Sequence, residues 1–262
     1  MTIKTKYKFL KHKIVDTNVF VVQLNRTTKK NALSNEMKKE LINIAQDIKD
    51  SNLIKVVVLH GEGDFFCAGN DILESGSFGK GKPLKEARKI IRLGPDMIRA
   101  WSTIPYITIA SINGGAIGGG MSLALSCDFR VLSNTAYFRA PEVELGIHFS
   151  WHSLPRLTAL IGPSKAKRIS ALCETIDAKK AFAWGLCDRV SNNPYSNSIE
   201  WAKDISKLPN IAQTMVKEAI ERTSYVHDDG YRDVDQVLLS FLDQESAKAR
   251  EKIIKKMKTP KH

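Results

Sequence analysis

Residues 107–126 read ITIASINGGAIGGGMSLALS, and the change of composition inside this stretch decides the fold class. Ile107 to Ile112 is an apolar, β-branched run of strand length without polar alternation, as expected for a strand covered on both faces. Gly114, Gly115, Gly118, Gly119 and Gly120 follow, five of the sixteen glycines of the chain within seven residues. Met121 to Ser126 then resumes as an apolar helix. Glycines at a strand-to-helix turn leave backbone NH groups unobstructed, and the helix start adds partial positive charge. The turn therefore suits an anion or a developing oxyanion. Packing of the helix on the sheet would account for one or two of these glycines but not for five. A nucleotide triphosphate is argued against, because Gly120 is followed by Met121 and Ser122 where a phosphate loop needs Lys and then Ser or Thr.

Upstream, Val19 to Leu24 and Ile54 to Leu59 are two further apolar runs. Between them Met37, Leu41, Ile44, Ala45 and Ile48 form one stripe of a helix, with Ser34 as its N-cap. Strand, helix and strand in this order predict a right-handed crossover and a parallel sheet. A helix over Leu84 to Trp101 precedes the third strand, after a small, polar and basic loop, Glu74 to Pro83. Beyond Gly162 the pattern is almost wholly helical. Pro163 opens one helix, Asp177 caps another, and Ser198 to Lys207, Ile211 to Arg222 and Asp233 to Lys258 follow. The expectation is an α/β core over residues 1–195 and a helical region over residues 196–262.

With 262 residues and 29.3 kDa the chain is long enough for a sizeable core, and 43% hydrophobic with 26% charged residues excludes disorder and fibrous repeats. The formal charge of +12 looks like a nucleic-acid signal until it is located: residues 1–13 and 246–262 together carry +11 of it. The body is near neutral, so a basic face on the folded domain is not indicated, and nucleic acid is not expected as a partner. Cys67, Cys127, Cys173 and Cys187 show no metal-ligand spacing and read as reduced core thiols, so no metal is expected. No apolar run approaches the length that crosses a bilayer, and the start lacks a signal-peptide core, which points to a cytoplasmic protein without a membrane partner.

A second small-residue turn, Phe66-Cys67-Ala68-Gly69-Asn70-Asp71-Ile72, also follows a buried strand. Gly61-Glu62-Gly63 before it has Phe66 at the third glycine position of a dinucleotide fingerprint, which removes that reading. Two strand-end loops of this kind can aim two NH groups at one oxygen, the geometry that holds an enolate or a tetrahedral oxyanion.

At these residues the chain resembles the crotonase family, the enoyl-CoA hydratase/isomerase superfamily. The resemblance is carried by Asn25-Arg26 with Asn31-Ala32-Leu33, by the turn Phe66 to Ile72, by Asn113-Gly114 with Gly118-Gly119-Gly120 and Cys127-Asp128, and by Pro141-Glu142 with Leu145-Gly146. It covers about residues 20–190, and the C-terminal helices match only loosely. It implies a spiral of ββα units with a helical C-terminal trimerisation region, assembly as a homotrimer or a dimer of trimers, and binding of acyl-CoA thioesters. Coenzyme A would enter as part of the substrate, and no other cofactor is implied. By similarity, the NH groups of Asn70 and Gly119 hold the thioester oxygen and Glu142 is the acid/base. Arg26, Lys29 and Lys30 stand where relatives meet the nucleotide part of CoA. Ala68, Ile72, Gly115, Gly118, Ser122, Ser150, Trp151 and His152 are the further substrate-binding candidates, whereas Asp71 reads as a structural cap.

The chain departs from the hydratase pattern twice. Ser122 stands where hydratases carry their second carboxylate, and Ile147-His148-Phe149-Ser150-Trp151-His152 replaces the usual glycine-rich segment. Moving a proton between two carbons needs only Glu142, which favours double-bond isomerisation over hydration. The alternatives are a hydratase with an altered pocket, a thioester hydrolase with Ser122 as nucleophile and His148 or His152 as base, and a weakly active acyl-CoA binder.

Overall fold

The computed structural model describes residues 6–74, 81–224 and 241–258. Strands β1 (Leu10–Val15), β2 (Val19–Leu24), β3 (Val56–Gly61), β4 (Ile107–Ile112), β6 (Phe129–Ser133) and β9 (Arg189–Ser191) form one sheet in that order. β1 pairs antiparallel with β2, and every other pair in this sheet is parallel. A second sheet joins β5 (Gly115–Ile117), β7 (Tyr137–Arg139) and β8 (Ile176–Asp177). Among the described residues the α-helices are α1 (Asn35–Lys49), α2 (Leu84–Ser102), α3 (Gly119–Leu125), α4 (Ser153–Ser170), α5 (Ala178–Trp184), α6 (Pro194–Ser206), α7 (Asn210–Ser224) and α8 (Gln244–Lys258).

The unalternating strands have a simple cause. Phe20, Val22, Leu24, Val57 and Leu59 face a core shared with α1 and α2, while Val19, Val21, Val56, Val58, Ile109 and Val131 face Ile199 and Ala202 of α6. Both faces of the sheet are thus dry. Met37, Leu41, Ile44 and Ile48 of α1 are fully buried, each contributing about 1.5–3 kcal/mol. Ser34 caps this helix through its hydroxyl, which accepts from the Met37 amide at 3.1 Å. Asp177 caps α5 in the same way, accepting from the Lys180 amide at 2.8 Å.

The boundaries differ from the sequence reading where caps decide them. α3 starts at Gly119, two residues before the apolar run, and α6 starts at Pro194 because the Asn193 side chain accepts from the Ser196 amide. α4 is broken at Gly162 (φ 79°, ψ 162°), so that Pro163 opens its second segment. The expected loop 74–83 and the expected helix 233–258 each fall partly outside the described residues.

α7 is tied to the sheet by one buried lysine. Lys217 Nζ donates to Asp128 Oδ2 at 2.6 Å and to the Tyr106 carbonyl at 2.8 Å, and the same carboxylate accepts from the amide and hydroxyl of Thr108. Among the described residues no helix is long and apolar enough to cross a membrane.

Candidate active site

The two glycine turns meet because the chain between them is stitched on both sides. Cys67 bridges Ala116: its amide donates to the Gly115 carbonyl at 3.1 Å, and its carbonyl accepts from Ile117 at 3.0 Å. On the other side Leu33 donates to Gly69 at 2.7 Å and accepts from Asp71 at 3.1 Å. In a parallel bridge alternate amides face opposite ways, so that of Asn70 is turned away from Leu33. Gly69 sits at φ +88°, where a Cβ would lie 2.5 Å from the Ile117 carbonyl oxygen and 3.3 Å from the Gly119 nitrogen. Only glycine permits this approach. Gly119 opens α3, so its NH belongs to the first turn, which lacks intrahelical acceptors.

The Asn25-Arg26 and Asn31-Ala32-Leu33 segments serve the loop rather than the cavity. Asn31 Nδ2 donates to the carbonyls of Glu62 and Phe65, and its Oδ1 accepts from the Arg26 amide. Arg26 Nη1 donates to the Ala32 carbonyl at 2.9 Å and pairs with Asp71 Oδ2 at 2.7 Å, both side chains largely buried. Asp71 Oδ1 accepts from the Leu73 amide at 3.2 Å.

Beneath the two turns lies a cavity of about 360 Å³. Glu142 leads the short 3-10 turn Val143–Leu145 and reaches under Gly118, where a Cβ would stand 2.5 Å from its Oε1. Glu142 Oε2 is buried and has no hydrogen-bond partner among the described residues. Removal from water, opposed only weakly by a backbone hydrogen bond, pushes the carboxyl pKa up to about 8. A carboxyl of this kind can hold a proton near neutral pH and give it up again.

Opposite it, Ser122 Oγ accepts from Ser153 Oγ at 2.6 Å and donates to the Gly118 carbonyl at 3.3 Å. Both bonds tie it to structure, and neither partner is a base that would activate a nucleophile. Trp151 and His152 both have positive φ, 63° and 57°. The Trp151 ring occupies the space that side chains at Gly94 of α2 and Gly119 of α3 would need.

Of the residues singled out from sequence, Asn70, Gly119, Glu142, Ala68, Ile72, Gly118, Ser122, Ser150 and Trp151 line this cavity. Arg26, Lys29, Lys30, Gly115 and His152 are not part of its lining. Lys29 and Lys30 are exposed, and Lys30 Nζ lies 4.8 Å from the Phe65 ring centre. Gly115 packs against Phe65 and Tyr137.

Other lining residues were not picked out from sequence. Lys38 is buried on α1, and Ile253 and Met257 arrive from α8, whose Arg250 Nη1 donates to the Gly146 carbonyl at 3.0 Å. His148, named from sequence only as a possible base for a hydrolase, does line the cavity, and its buried Nδ1 has no partner among the described residues. Lys38 carried a readable signal, since it precedes Leu41, Ala45 and Ile48 by three, seven and ten residues and so shares their face. The reach of α8 into the cavity is a long-range contact that no local pattern encodes. A larger cavity, about 580 Å³, lies between α7 and the sheet, shares no residue with the first, and contains none of these groups.

A model of the enoyl-CoA hydratase/isomerase family matches residues 15–259. A crotonyl-CoA hydratase of Syntrophomonas wolfei is 34% identical over 65% of this chain, and the match spans 64% of that relative's length. A short-chain-enoyl-CoA hydratase of Clostridium acetobutylicum is 34% identical over 78% of each chain. Among solved structures, an enoyl-CoA hydratase of Bacillus anthracis superposes with a TM-score of 0.78 at 28% identity, covering 97% of this chain and 99% of its own. A Thermobifida fusca protein described as a putative enoyl-CoA hydratase in complex with acetoacetyl-CoA gives 0.74 at 26% identity, covering 91% and 95%.

Proposed function

The chain belongs to the enoyl-CoA hydratase/isomerase family, and on that premise we propose that it is an enzyme that binds acyl-CoA thioesters and moves a double bond along the acyl chain. The amides of Asn70 and Gly119 hold the thioester oxygen as negative charge develops on it, each such donor being worth about 2.7–4 kcal/mol in the transition state. Glu142, ionised, takes a proton from Cα of a 3-enoyl thioester to give a dienolate. It then returns that proton to Cγ, leaving the double bond conjugated with the thioester and Glu142 ionised again. No water is consumed. Lys29 and Lys30, exposed beside the same loops, are the cations offered to the CoA phosphates, because Arg26 is committed to Asp71.

The observation that carries this reading is Glu142 Oε2, buried and without a hydrogen-bond partner among the described residues, in a cavity that Ser122 also lines. A second reading, hydration, draws on His148, whose buried Nδ1, without a partner among the described residues, supplies another group able to handle a proton or a water. Pure protein incubated with 3-enoyl-CoA and with 2-enoyl-CoA, followed by the absorbance of the conjugated thioester, separates the two. Isomerisation raises absorbance from the 3-enoyl substrate, and Glu142→Gln lowers that rate by about 10²–10⁴. Rapid hydration of 2-enoyl-CoA that survives Glu142→Gln would refute the assignment of the base. Ile211, Met215 and Ile220, apolar and exposed on α7, support association of several copies of the chain into a trimer or a pair of trimers.

A further inference from the structure

Lys38 stands on the apolar face of α1, is 2% exposed, and lines the cavity. A lysine is a poor choice for packing alone, since a charge taken from water must be matched by a partner charge or by acceptors. An ammonium has three N–H donors. The one side-chain oxygen to which Lys38 donates among the described residues is neutral, Asn70 Oδ1 at 2.9 Å, and the Trp151 ring centre lies 5.6 Å from Nζ. The acids that act on it through space have other partners. Asp71 is paired with Arg26, and Glu74 Oε2 accepts from the Asn35 amide. Burial outweighs their help and lowers the Lys38 pKa from 10.5 to about 8, which still leaves it cationic at neutral pH. The other cation of the lining, Arg139, is engaged by Glu144 at 2.6 Å.

The position of this ammonium, which among the described residues has carboxylates acting on it through space but none within hydrogen-bond reach, is informative. Asn70 offers its main chain to the thioester oxygen and its side chain to Lys38, so the ammonium lies a few bond lengths from the reacting end of the acyl group. Resting on the acyl-CoA reading above, we propose that Lys38 is the specificity-determining cation of the pocket and that the substrate's acyl group ends in a carboxylate. Four covalent bonds of about 1.5 Å join the Asn70 nitrogen to its Oδ1, and Nζ lies 2.9 Å beyond that oxygen, so the acyl group expected is short, a dicarboxylic chain of about four or five carbons. A plain hydrocarbon chain of that length would leave the ammonium facing methyl groups, with two of its donors unmet.

The test uses two saturated, unreactive thioesters of equal carbon count, glutaryl-CoA and pentanoyl-CoA, titrated calorimetrically into the full-length protein and into Lys38→Met and Lys38→Arg. Wild type is expected to bind glutaryl-CoA at least tenfold tighter than pentanoyl-CoA, the least expected of a charge-assisted hydrogen bond. Lys38→Met erases or reverses the preference, read as the ratio of the two affinities, and Lys38→Arg retains part of it. Thermal melts check folding, and Lys38→Gln replaces the methionine variant if that one does not fold. Equal binding by wild type, a preference for pentanoyl-CoA, or a glutaryl preference that survives removal of the charge overturns the assignment. Each of these leaves the acyl-CoA reading standing. Failure of both thioesters to bind overturns both.

Discussion

Glu142 ties the stability of the chain to pH. Its carboxyl titrates near 8 in the folded chain against an ordinary 4.5. Below pH 4.5 it is protonated in both states and the folded chain has its full stability. Between those values the folded chain holds a proton that the unfolded chain has released, so stability falls as pH rises, by about 1.4 kcal/mol per unit. Above pH 8 the loss levels off at about 5 kcal/mol over the whole interval. Glu142→Gln keeps the shape and removes the titration. The assay is urea unfolding of both proteins from pH 5 to 9, plotted as the difference between them, which cancels the groups common to both. The variant should gain on wild type by about 1.4 kcal/mol per unit up to a plateau near pH 8. In the same window wild-type kcat/KM should rise with pH if Glu142 acts as the proposed base, which must be ionised in the free enzyme. A flat difference, or one that levels off near pH 4.5, would refute the claim that this carboxyl is held out of water.

Two further substitutions probe the frame around it. Gly118→Ala puts a Cβ 2.5 Å from Glu142 Oε1 at a backbone of φ 50°, ψ −118°. A loss of about 1–3 kcal/mol in stability and at least about 10² in kcat is expected, measured by denaturant unfolding and turnover. Asp71→Asn breaks the largely buried pair with Arg26 and loosens the loop that carries Asn70. It should cost about 1–3 kcal/mol, less than a fully buried pair, and lower kcat more than it raises KM. Unchanged kcat in either variant would count against the two-amide arrangement.

The parts of the fold that the sequence made legible are those where burial is complete and runs are long. β2 and β4 were delimited to the residue, and Ser34 and Asp177 announced their helices, because two-faced burial and capping are local in cause. β6 escaped notice because Arg130 interrupts it. That guanidinium is 2% exposed and is satisfied by the carbonyls of Leu186 and Cys127, which only the fold brings to it. β7 and β8 have three and two residues, too few to show any period. In the site, glycines and Glu142 could be read through the resemblance, since backbone geometry and a lone acid leave marks in sequence. The pairing of Arg26 with Asp71 leaves no mark in sequence, because a cation's partner is a matter of three-dimensional placement.

Trp151 stands beside the buried Lys38 ammonium and bounds the cavity, so its loss should admit longer chains. The residue and its neighbour His152 sit at φ 63° and 57°, a left-handed pair costing about 1–2 kcal/mol per residue. What holds them there is the ring, wedged where Gly94 and Gly119 lack side chains. The same ring walls the cavity beside the first turn of α3 and lies 5.6 Å from Lys38 Nζ, lending the ammonium its negative face. Trp151→Ala should therefore do two things at once. Stability falls by about 2–3 kcal/mol, below the 3–5 typical of full burial because the side chain is only half-buried. The wall opens, so relative kcat/KM for an unsubstituted ten-carbon over a four-carbon 3-enoyl-CoA rises at least about tenfold, a methylene in an apolar pocket being worth 1–3 kcal/mol. A variant that folds and keeps the wild-type chain-length ratio would show that the acyl group runs elsewhere, and that Trp151 braces the helix rather than bounds the substrate.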